Sequence, residues 1–419
     1  MEIKPFFKSG RTVTVPGSKS YSQRAMVISA LAAGDSTLWN PLVAEDTLFL
    51  LNALRDMGAS FTAGEGQLFV RGTGGVLANP GRQISLGNNG TAMRLLISLA
   101  ALGRGEYTLT GEKRLCERPV EPLLSALRQL GAQAKSASGN GCPPVVVQGG
   151  ILHGGRAVLK DIDSSQYISS LLIAGPFARE DTEIEVRGTI PSEPYVKLTL
   201  EAMRDFGAEA GKTASGYFVR AGRVYGARQY RVEADVSSAS YFFLAAALCG
   251  GTVRVDNVMR DTIQGDIRIL RILEQAGCSV LRGECHVEVA GGKLAGGEMV
   301  LDMGDIPDMV PTVAALAAVR PGRTVVRNAA HLRVKESNRL KALVTELRKT
   351  GVKARETADG MIIEGGDPRG ASIETYNDHR IAMSFAVLGL AVPGMKINNP
   401  ECVGKSFPGF WKELGKLQG

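Results

Sequence analysis

Two charged clusters in the second half of this 419-residue chain contain side chains that could move protons and bind anions. The segment RVKESNR brings Lys335, Glu336 and Arg339 together, and the segment DIPDMVPT contains Asp308. Carboxylates can exchange protons, and the planar guanidinium group of arginine suits carboxylate and phosphate groups. A solvated helix face for RVKESNR and ordinary helix capping for Asp308 are the alternative interpretations.

The first half contains similar polar clusters at predicted helix starts. PGSKSYSQR combines a cation, a hydroxyl and an arginine one helical turn later, namely Lys19, Ser20 and Arg24. It resembles the end of a Walker A loop, but its glycine and lysine are not adjacent, so that motif is not met. In GNNGTAMR, Gly90 lets a backbone N–H approach a ligand with no side chain in the way. Further polar candidates are Asn88, Arg94, Arg118, Ser164, Ser165, Gln166, Ser192, Tyr195, His379, Arg380 and Lys405.

The elements that carry these residues belong to a unit of about 70 residues that occurs six times along the chain. One part of each unit has apolar residues at three- and four-residue steps and ends in glycine. This pattern predicts an amphipathic helix with a left-handed C-cap. The glycines are Gly58, Gly131, Gly207, Gly277, Gly351 and Gly415.

The other part of each unit is a polar cluster followed by an alanine-rich apolar run and a short strand-like segment, as in NNGTAMRLLISLAALGRGEYTLT. Helices this rich in small residues and this poor in charge are expected to be buried. Each opens with Ser, Thr, Asn or Asp, the residues that cap helix amino termini. Such a terminus has unpaired N–H groups and a partial positive charge, so it can bind phosphate or carboxylate. For any single helix, ordinary capping remains the alternative.

The composition narrows the classes of function. The length predicts two domains of roughly 200 residues each. A net charge of +7 fits nucleic acid or small anions, but aromatic residues make up only 6% and no tight Lys/Arg run occurs, which favours small anionic metabolites. The apolar runs are too short to span a bilayer, and the six cysteines show no CxxC spacing. We therefore expect a protein of the reducing cytoplasm.

From GSKS near residue 17 to KSFP near residue 405, the motifs resemble those of the 5-enolpyruvylshikimate-3-phosphate (EPSP) synthase family in order and spacing. The resemblance implies an α/β fold of two domains, an inside-out α/β barrel with helices inside and sheets outside. Each domain would contain three βαβαββ units, which makes six repeats. The chain would begin in one domain, build the other and return, so that one domain is 15–231 and the other is 1–14 with 232–419.

The resemblance also implies an activity, the transfer of the enolpyruvyl group of phosphoenolpyruvate to the 5-hydroxyl of shikimate 3-phosphate. Phosphate would leave through a tetrahedral addition–elimination intermediate, in aromatic amino acid (chorismate) biosynthesis. The residues expected to bind shikimate 3-phosphate are Lys19, Ser20, Arg24, Ser164, Ser165, Gln166, Ser192, Tyr195, Asp308, His331 and Lys335. Those expected to bind phosphoenolpyruvate are Lys19, Asn88, Gly90, Arg118, Gln166, Arg339, His379, Arg380 and Lys405. No metal, cofactor, nucleic acid or membrane partner is implied, and a monomer is expected.

The same resemblance implies the catalytic groups. Asp308 and Glu336 are expected to be the paired carboxylates for proton transfer, and two lysines, Lys19 and Lys405, are expected to stabilise developing charge. The sequence leaves open how the proton transfers divide among these groups. Three positions depart from the commoner family pattern, namely His331 for asparagine, Asn89 for alanine and Leu95 for proline.

Two other functions remain as alternatives. UDP-N-acetylglucosamine enolpyruvyl transferase shares the expected fold, but that family has a Lys-Asn pair where this chain has Lys19 and Ser20. Its reactive cysteine lies five residues before its RPV motif, whereas Cys116 lies only two residues before Arg118. The second alternative is a basic RNA-processing protein with related repeats. The full set of six repeats and the few aromatic residues disfavour it.

Overall fold

The computed structural model describes residues 1–150, 152–222 and 224–418. The chain forms two compact units, Lys19–Val232 and Met1–Ser18 together with Glu233–Gly419. It therefore begins in one unit, forms the other and returns to the first. Both units combine helices and strands, so the expected α/β class is confirmed. Within the described ranges, no helix is long and apolar enough to cross a membrane.

Two kinds of helix alternate along the chain. The helices are α1 (Lys19–Leu31), α2 (Glu45–Asp56), α3 (Gly90–Ala100), α4 (Glu121–Gln129), α5 (Gln166–Ala174), α6 (Pro194–Asp205), α7 (Val236–Cys249), α8 (Ile269–Gln275), α9 (Val310–Val319), α10 (Arg339–Lys349), α11 (His379–Ala391) and α12 (Phe410–Lys416). The odd-numbered helices are the alanine-rich ones, and their predicted burial is confirmed. For example, every residue of α9 except Val319 and every residue of α11 except Ala391 is buried.

The even-numbered helices are the amphipathic ones, and most of them end at the predicted glycine. Five of these glycines have a left-handed backbone, with φ of 104° at Gly58, 88° at Gly131, 92° at Gly207, 101° at Gly277 and 86° at Gly351. Gly415 is different because α12 continues through it to Lys416. The C-cap predicted at Gly415 is therefore wrong.

In the part of the chain that the structure describes, the strands form three sheets in each unit. They are β1 (Arg11–Thr14), β2 (Asp35–Trp39), β3 (Ser60–Gly64), β4 (Gln67–Arg71), β5 (Ile84–Ser85), β6 (Gly105–Thr110), β7 (Gln133–Ser136), β8 (Val145–Gly149), β9 (Gly155–Lys160), β10 (Thr182–Arg187), β11 (Ala210–Lys212), β12 (Gly216–Val219), β13 (Gln229–Arg231), β14 (Thr252–Asp256), β15 (Ser279–Arg282), β16 (His286–Ala290), β17 (Glu298–Asp302), β18 (Gly322–Arg327), β19 (Lys353–Glu356), β20 (Met361–Gly365), β21 (Ser372–Ile373) and β22 (Lys396–Ile397).

Five of the sheets share one pattern, in which a parallel pair is followed by two antiparallel pairs. In the unit 19–232 the strand orders are β13-β2-β4-β3, β5-β6-β8-β7 and β9-β10-β12-β11. In the other unit they are β1-β14-β16-β15 and β17-β18-β20-β19, with a two-stranded parallel sheet β21-β22. Alternate strand residues are buried, as with Val145 and Val147 of β8, which contacts α3. The odd-numbered helices are thereby fixed against the sheets, and their first turns carry the polar clusters.

Candidate functional site

In the unit that contains the chain termini, Arg339 binds three carboxylates near the first turns of α9, α10 and α11. It is the first residue of α10, and its side chain is only 1% exposed. Its guanidinium group donates to Asp308 Oδ1 at 2.9 Å, to Glu336 Oε2 at 2.9 Å and to Asp378 Oδ2 at 2.8 Å. The two carboxylates expected to transfer protons therefore contact one guanidinium group.

A second guanidinium group reaches Asp308 from α11. Arg380 Nη2 donates to Asp308 Oδ2 at 2.8 Å, and Arg380 Nη1 lies 3.5 Å from the hydroxyl of Tyr241. Burial favours the protonated form of Asp308, but the positive charges of Arg380, Arg339 and Lys335 outweigh burial. The pKa of Asp308 is therefore held well below its ordinary value, so this carboxylate is ionised.

The ordinary explanations for these two motifs do not fit the structure. Asp308 lies in a short 3-10 turn, Pro307–Met309, and the amino terminus of α9 has no side-chain cap. RVKESNR is not a solvated helix face, because it forms the end of a 3-10 segment, Ala330–Val334, and a loop before α10. Within it, Arg333 forms an ion pair with Glu356 rather than with the carboxylates around Arg339.

Asp378 belongs to the same cluster, although it is not among the residues expected to bind a substrate or to transfer a proton. It is fully buried and caps α11 by accepting from the backbone N–H of Arg380 at 3.1 Å. It also accepts from Ser337 Oγ at 3.0 Å in addition to the Arg339 contact. Burial lowers the pKa of Arg339, but Asp378, Glu336 and Asp308 outweigh burial and raise it above its ordinary value. Asp378 therefore holds Arg339 in place as well as capping the helix.

Of the remaining predicted residues of this unit, His331, His379 and Lys405 are buried, whereas Lys335, in the loop before α10, is half-buried. His331 lies within the 3-10 segment before α10, and Lys405 ends another 3-10 segment, Pro400–Lys405. His379 Nδ1 is 4.0 Å from Asp378 Oδ1. A further acid, Asp266, accepts a hydrogen bond from Ser237 Oγ at the start of α7. Burial raises the pKa of Asp266 above its ordinary value, and the negative charge of Asp308 adds to this rise.

In the unit 19–232, Arg24 is a buried cation whose hydrogen bonds go to neutral oxygens. Its side chain on α1 is 1% exposed. It donates from Nε to Thr199 Oγ1 at 2.6 Å, from Nη1 to the carbonyl of Ser20 at 3.0 Å and from Nη2 to Ser169 Oγ at 3.3 Å. Burial lowers the pKa of Arg24 to about 10, so the group remains charged near neutral pH. A buried charge of this kind favours an anionic ligand.

The Arg24 contacts draw together several residues expected to bind shikimate 3-phosphate. Thr199 Oγ1 donates to the carbonyl of Tyr195 at 3.0 Å, and the backbone N–H of Ser169 donates to the carbonyl of Ser165 at 3.2 Å. Ser164 Oγ accepts from the backbone N–H of Gln166 at 3.3 Å, at the start of α5. Ser192 lies in the turn before α6, with a φ of 59°.

A second buried cation, Arg94, joins the segments that carry residues expected to bind phosphoenolpyruvate. Arg94 Nη1 donates to the carbonyl of Gly90 at 3.2 Å and to Gln166 Oε1 at 3.1 Å. Arg94 Nη2 donates to the carbonyl of Pro119 at 3.1 Å, directly after Arg118. The guanidinium group of Arg118 packs on Gly90 so closely that a Cβ there would lie 2.5 Å from Arg118 Cζ. Gly90, Gln166 and Arg118 are therefore brought together.

The first polar cluster, PGSKSYSQR, is connected to this region through α2. Lys19 Nζ lies 3.3 Å from Asp46 Oδ2, and the carboxylate of Asp46 is almost fully buried. Asn88, two residues before Gly90, is also buried. Within this unit, the predicted residues therefore form one group around Arg24 and a second group around Arg94.

Residues 8–414 match the family model described as EPSP synthase (3-phosphoshikimate 1-carboxyvinyltransferase). The chain belongs to the EPSP synthase family. A protein of Trichormus variabilis named 3-phosphoshikimate 1-carboxyvinyltransferase is 43% identical over 411 residues, which are 97% of this chain and 96% of that protein. A protein of the same name from Methanothermobacter thermautotrophicus is 44% identical over 414 residues, 98% of this chain and 97% of that protein. The solved structure of EPSP synthase from Acinetobacter baumannii superposes with a TM-score of 0.82 at 31% identity and covers 100% of this chain and 98% of that chain.

Several residues of these clusters had no clear signal in the sequence. Ser169 and Thr199 are small polar residues inside helices, where such residues are ordinary, and only the packing of α1, α5 and α6 brings them to Arg24. Asp378 was detectable, because an acid directly before His379 and Arg380 at a helix start can cap and form ion pairs at once.

Proposed function

We propose that this chain transfers the enolpyruvyl group of phosphoenolpyruvate to the 5-hydroxyl of shikimate 3-phosphate and releases phosphate. Family membership over nearly the whole chain supports this activity and does not favour UDP-N-acetylglucosamine as acceptor. The observation that carries the proposal is the buried guanidinium group of Arg24, whose hydrogen bonds within the described residues go to neutral oxygens. A substrate that carries phosphate and carboxylate groups supplies the missing negative charge.

The two arginine groups suit the two substrates. We assign the Arg24 group, with Ser20, Ser165 and Tyr195, to shikimate 3-phosphate. We assign the Arg94 group to phosphoenolpyruvate, because the backbone of Gly90 and the guanidinium group of Arg118 meet there. Arg94 itself touches carbonyl and amide oxygens, so its part in this proposal is to hold those elements in position.

The proton transfers are assigned to Asp308 and Glu336. The acceptor hydroxyl must lose a proton to attack the enol carbon, and the methylene carbon must gain one, before both shifts reverse and phosphate leaves. Asp308 is ionised but a weak base, because Arg339 and Arg380 stabilise its charge. Binding of phosphoenolpyruvate to these same arginines would weaken their stabilisation of the Asp308 carboxylate. The pKa of Asp308 would then rise towards the range in which this group can accept a proton. Lys19 and Lys405 are assigned to stabilising the developing charge.

The finer architecture is also part of the proposal. We propose that residues 15–231 form one family domain and that 1–14 with 232–419 form the other, each with three βαβαββ units in an inside-out barrel. The three sheets within each unit support this assignment. We also propose that the protein is a monomer and acts in the cytoplasm. Light scattering coupled to size-exclusion chromatography tests the oligomeric state.

The proposed function is tested by phosphate release from phosphoenolpyruvate with each candidate acceptor. We expect release with shikimate 3-phosphate and none with UDP-N-acetylglucosamine, and the reverse result would refute the assignment. Cys116→Ser is the matched variant, because the competing family uses a reactive cysteine. Here the Cys116 thiol contacts the carbonyl of Gly111 at 3.5 Å, and we expect turnover to be unchanged. RNA binding that weakens steeply with salt, without phosphate release, would instead favour the RNA-processing alternative.

A further inference from the structure

Asn89, which stands where the family commonly has alanine, makes three buried hydrogen bonds at the start of α3. Its Oδ1 accepts from the backbone N–H of Ala92 at 2.9 Å and so caps the helix. Its Nδ2 donates to Gln23 Oε1 on α1 at 2.9 Å and to the carbonyl of Asp46 on α2 at 2.6 Å. An alanine could make none of these three bonds, so the Asn89 side chain itself connects α1, α2 and α3.

The orientation of the Gln23 side-chain amide depends on its hydrogen bond with Asn89. Gln23 is 0% exposed, and among the described residues its Nε2 has no hydrogen-bond partner. The contact between its Oε1 and Asn89 therefore determines the orientation of the amide. Because an unpaired polar group is costly in a buried position, Asn89 and Gln23 restrict each other, and loss of either side chain frees the other.

The elements joined in this way carry residues assigned to phosphoenolpyruvate. Asn89 directly precedes Gly90, against which the guanidinium group of Arg118 packs. The carbonyl held by Asn89 belongs to Asp46, whose carboxylate lies 3.3 Å from Lys19 Nζ. By contrast, the hydrogen bonds of the Arg24 group run to α5, α6 and the carbonyl of Ser20, and Asn89 takes no part in them.

We propose that Asn89 and Gln23 are a positioning pair that holds the first turn of α3, and with it Gly90, in the geometry that binds phosphoenolpyruvate. This inference rests on the proposed function. The pair does not touch the reacting atoms in this assignment. Its effect passes through the backbone of Gly90 and through Asp46.

Three variants distinguish the proposed positioning role of the Asn89–Gln23 pair from simple capping of α3 by residue 89. Asn89→Ser keeps a side-chain oxygen that can cap α3 but removes both bonds from Nδ2. Gln23→Met keeps the side-chain length but removes the acceptor, and the double variant combines the two changes. The matched control is Asn79→Ser, because Asn79 also makes three hydrogen bonds in the same unit, to Arg104, Glu106 and Gly81, but is exposed.

The readouts are both Michaelis constants, kcat, the melting temperature and amide hydrogen exchange at the start of α3. We expect each single variant to raise the constant for phosphoenolpyruvate about fivefold, with kcat and the shikimate 3-phosphate constant changed less than about twofold. The double variant should be no worse than the more affected single variant, because the two residues act as one pair. Exchange at the first turn of α3 should quicken in both single variants and stay unchanged in Asn79→Ser.

Two results would overturn the proposal. One is an equal rise of both Michaelis constants with a lowered melting temperature, since this describes a general loss of stability. The other is unchanged exchange and unchanged constants in Gln23→Met, since capping by residue 89 would then be sufficient. If wild-type protein releases no phosphate from the two substrates, the proposed function fails. Exchange at α3 in Gln23→Met would still decide whether the pair holds the helix.

Discussion

Gly90→Ala is the substitution for which the structure gives the most specific expectation. An alanine Cβ at this position would lie 2.5 Å from Arg118 Cζ and 2.6 Å from each of its terminal nitrogens. Because carbon atoms in contact are about 3.5 Å apart, the guanidinium group must retreat by roughly 1 Å. A hydrogen bond from Arg118 to phosphoenolpyruvate that is lengthened by that amount would be lost. Losing one hydrogen bond to a charged ligand costs about 1.5–3 kcal/mol, which corresponds to a rise of about 10- to 150-fold in the Michaelis constant for phosphoenolpyruvate.

The structure also excludes the competing explanation that Gly90 supplies a left-handed turn. Gly90 is the first residue of α3 and is not among the glycines with positive φ, whereas Gly87 has a φ of 54°. An alanine at Gly90 should therefore leave the melting temperature within a few degrees of wild type, since alanine favours helix over glycine by about 1 kcal/mol.

Gly87→Ala is the matched control for this prediction. Its Cβ would lie 2.4 Å from the ring of Phe49 and would require a backbone that alanine rarely adopts. We expect that variant to lower the melting temperature and to impair both substrates alike. Steady-state kinetics with each substrate varied, together with thermal melts, measures all of these effects. If Gly90→Ala raised both constants equally and lowered the melting temperature, the assignment of Gly90 to phosphoenolpyruvate would be wrong.

Three further predictions concern charged groups. Asp308→Asn should remain folded and bind shikimate 3-phosphate by calorimetry, but lower kcat by about 10²- to 10⁴-fold, and near-normal turnover would contradict its role. Arg24→Met should raise the shikimate 3-phosphate constant by about 10-fold or more without lowering the melting temperature, because it removes a buried charge with neutral partners. The folded state raises the pKa of Asp266 and so binds its proton more tightly than the unfolded chain, whose value is about 3.9. The free energy of unfolding of wild type should therefore fall, relative to Asp266→Asn, as pH rises above about 4. Denaturant titrations at several pH values measure this, and parallel pH profiles of the two proteins would contradict it.

The sequence by itself determined the kinds of element and their order. Three- and four-residue apolar spacing identified the amphipathic helices, and five of the six glycines placed after them have the left-handed backbone that only glycine adopts readily. The order of the polar motifs was sufficient for the resemblance to EPSP synthases, because motif order and spacing are properties of the chain itself. The same local signals failed at Gly415, where the helix continues.

Only the tertiary structure decided which of these residues meet. Arg24 contacts Thr199 and Ser169, which lie 175 and 145 residues away, and no periodic pattern in the sequence encodes a contact between helices so far apart. The ion pairs of Arg339 likewise depend on how α9, α10 and α11 pack, and those contacts, with Arg380 and Lys335, lower the pKa of Asp308. Local periodicity reports which face of a helix is buried, whereas the partners on that face are set by the packing of the whole unit.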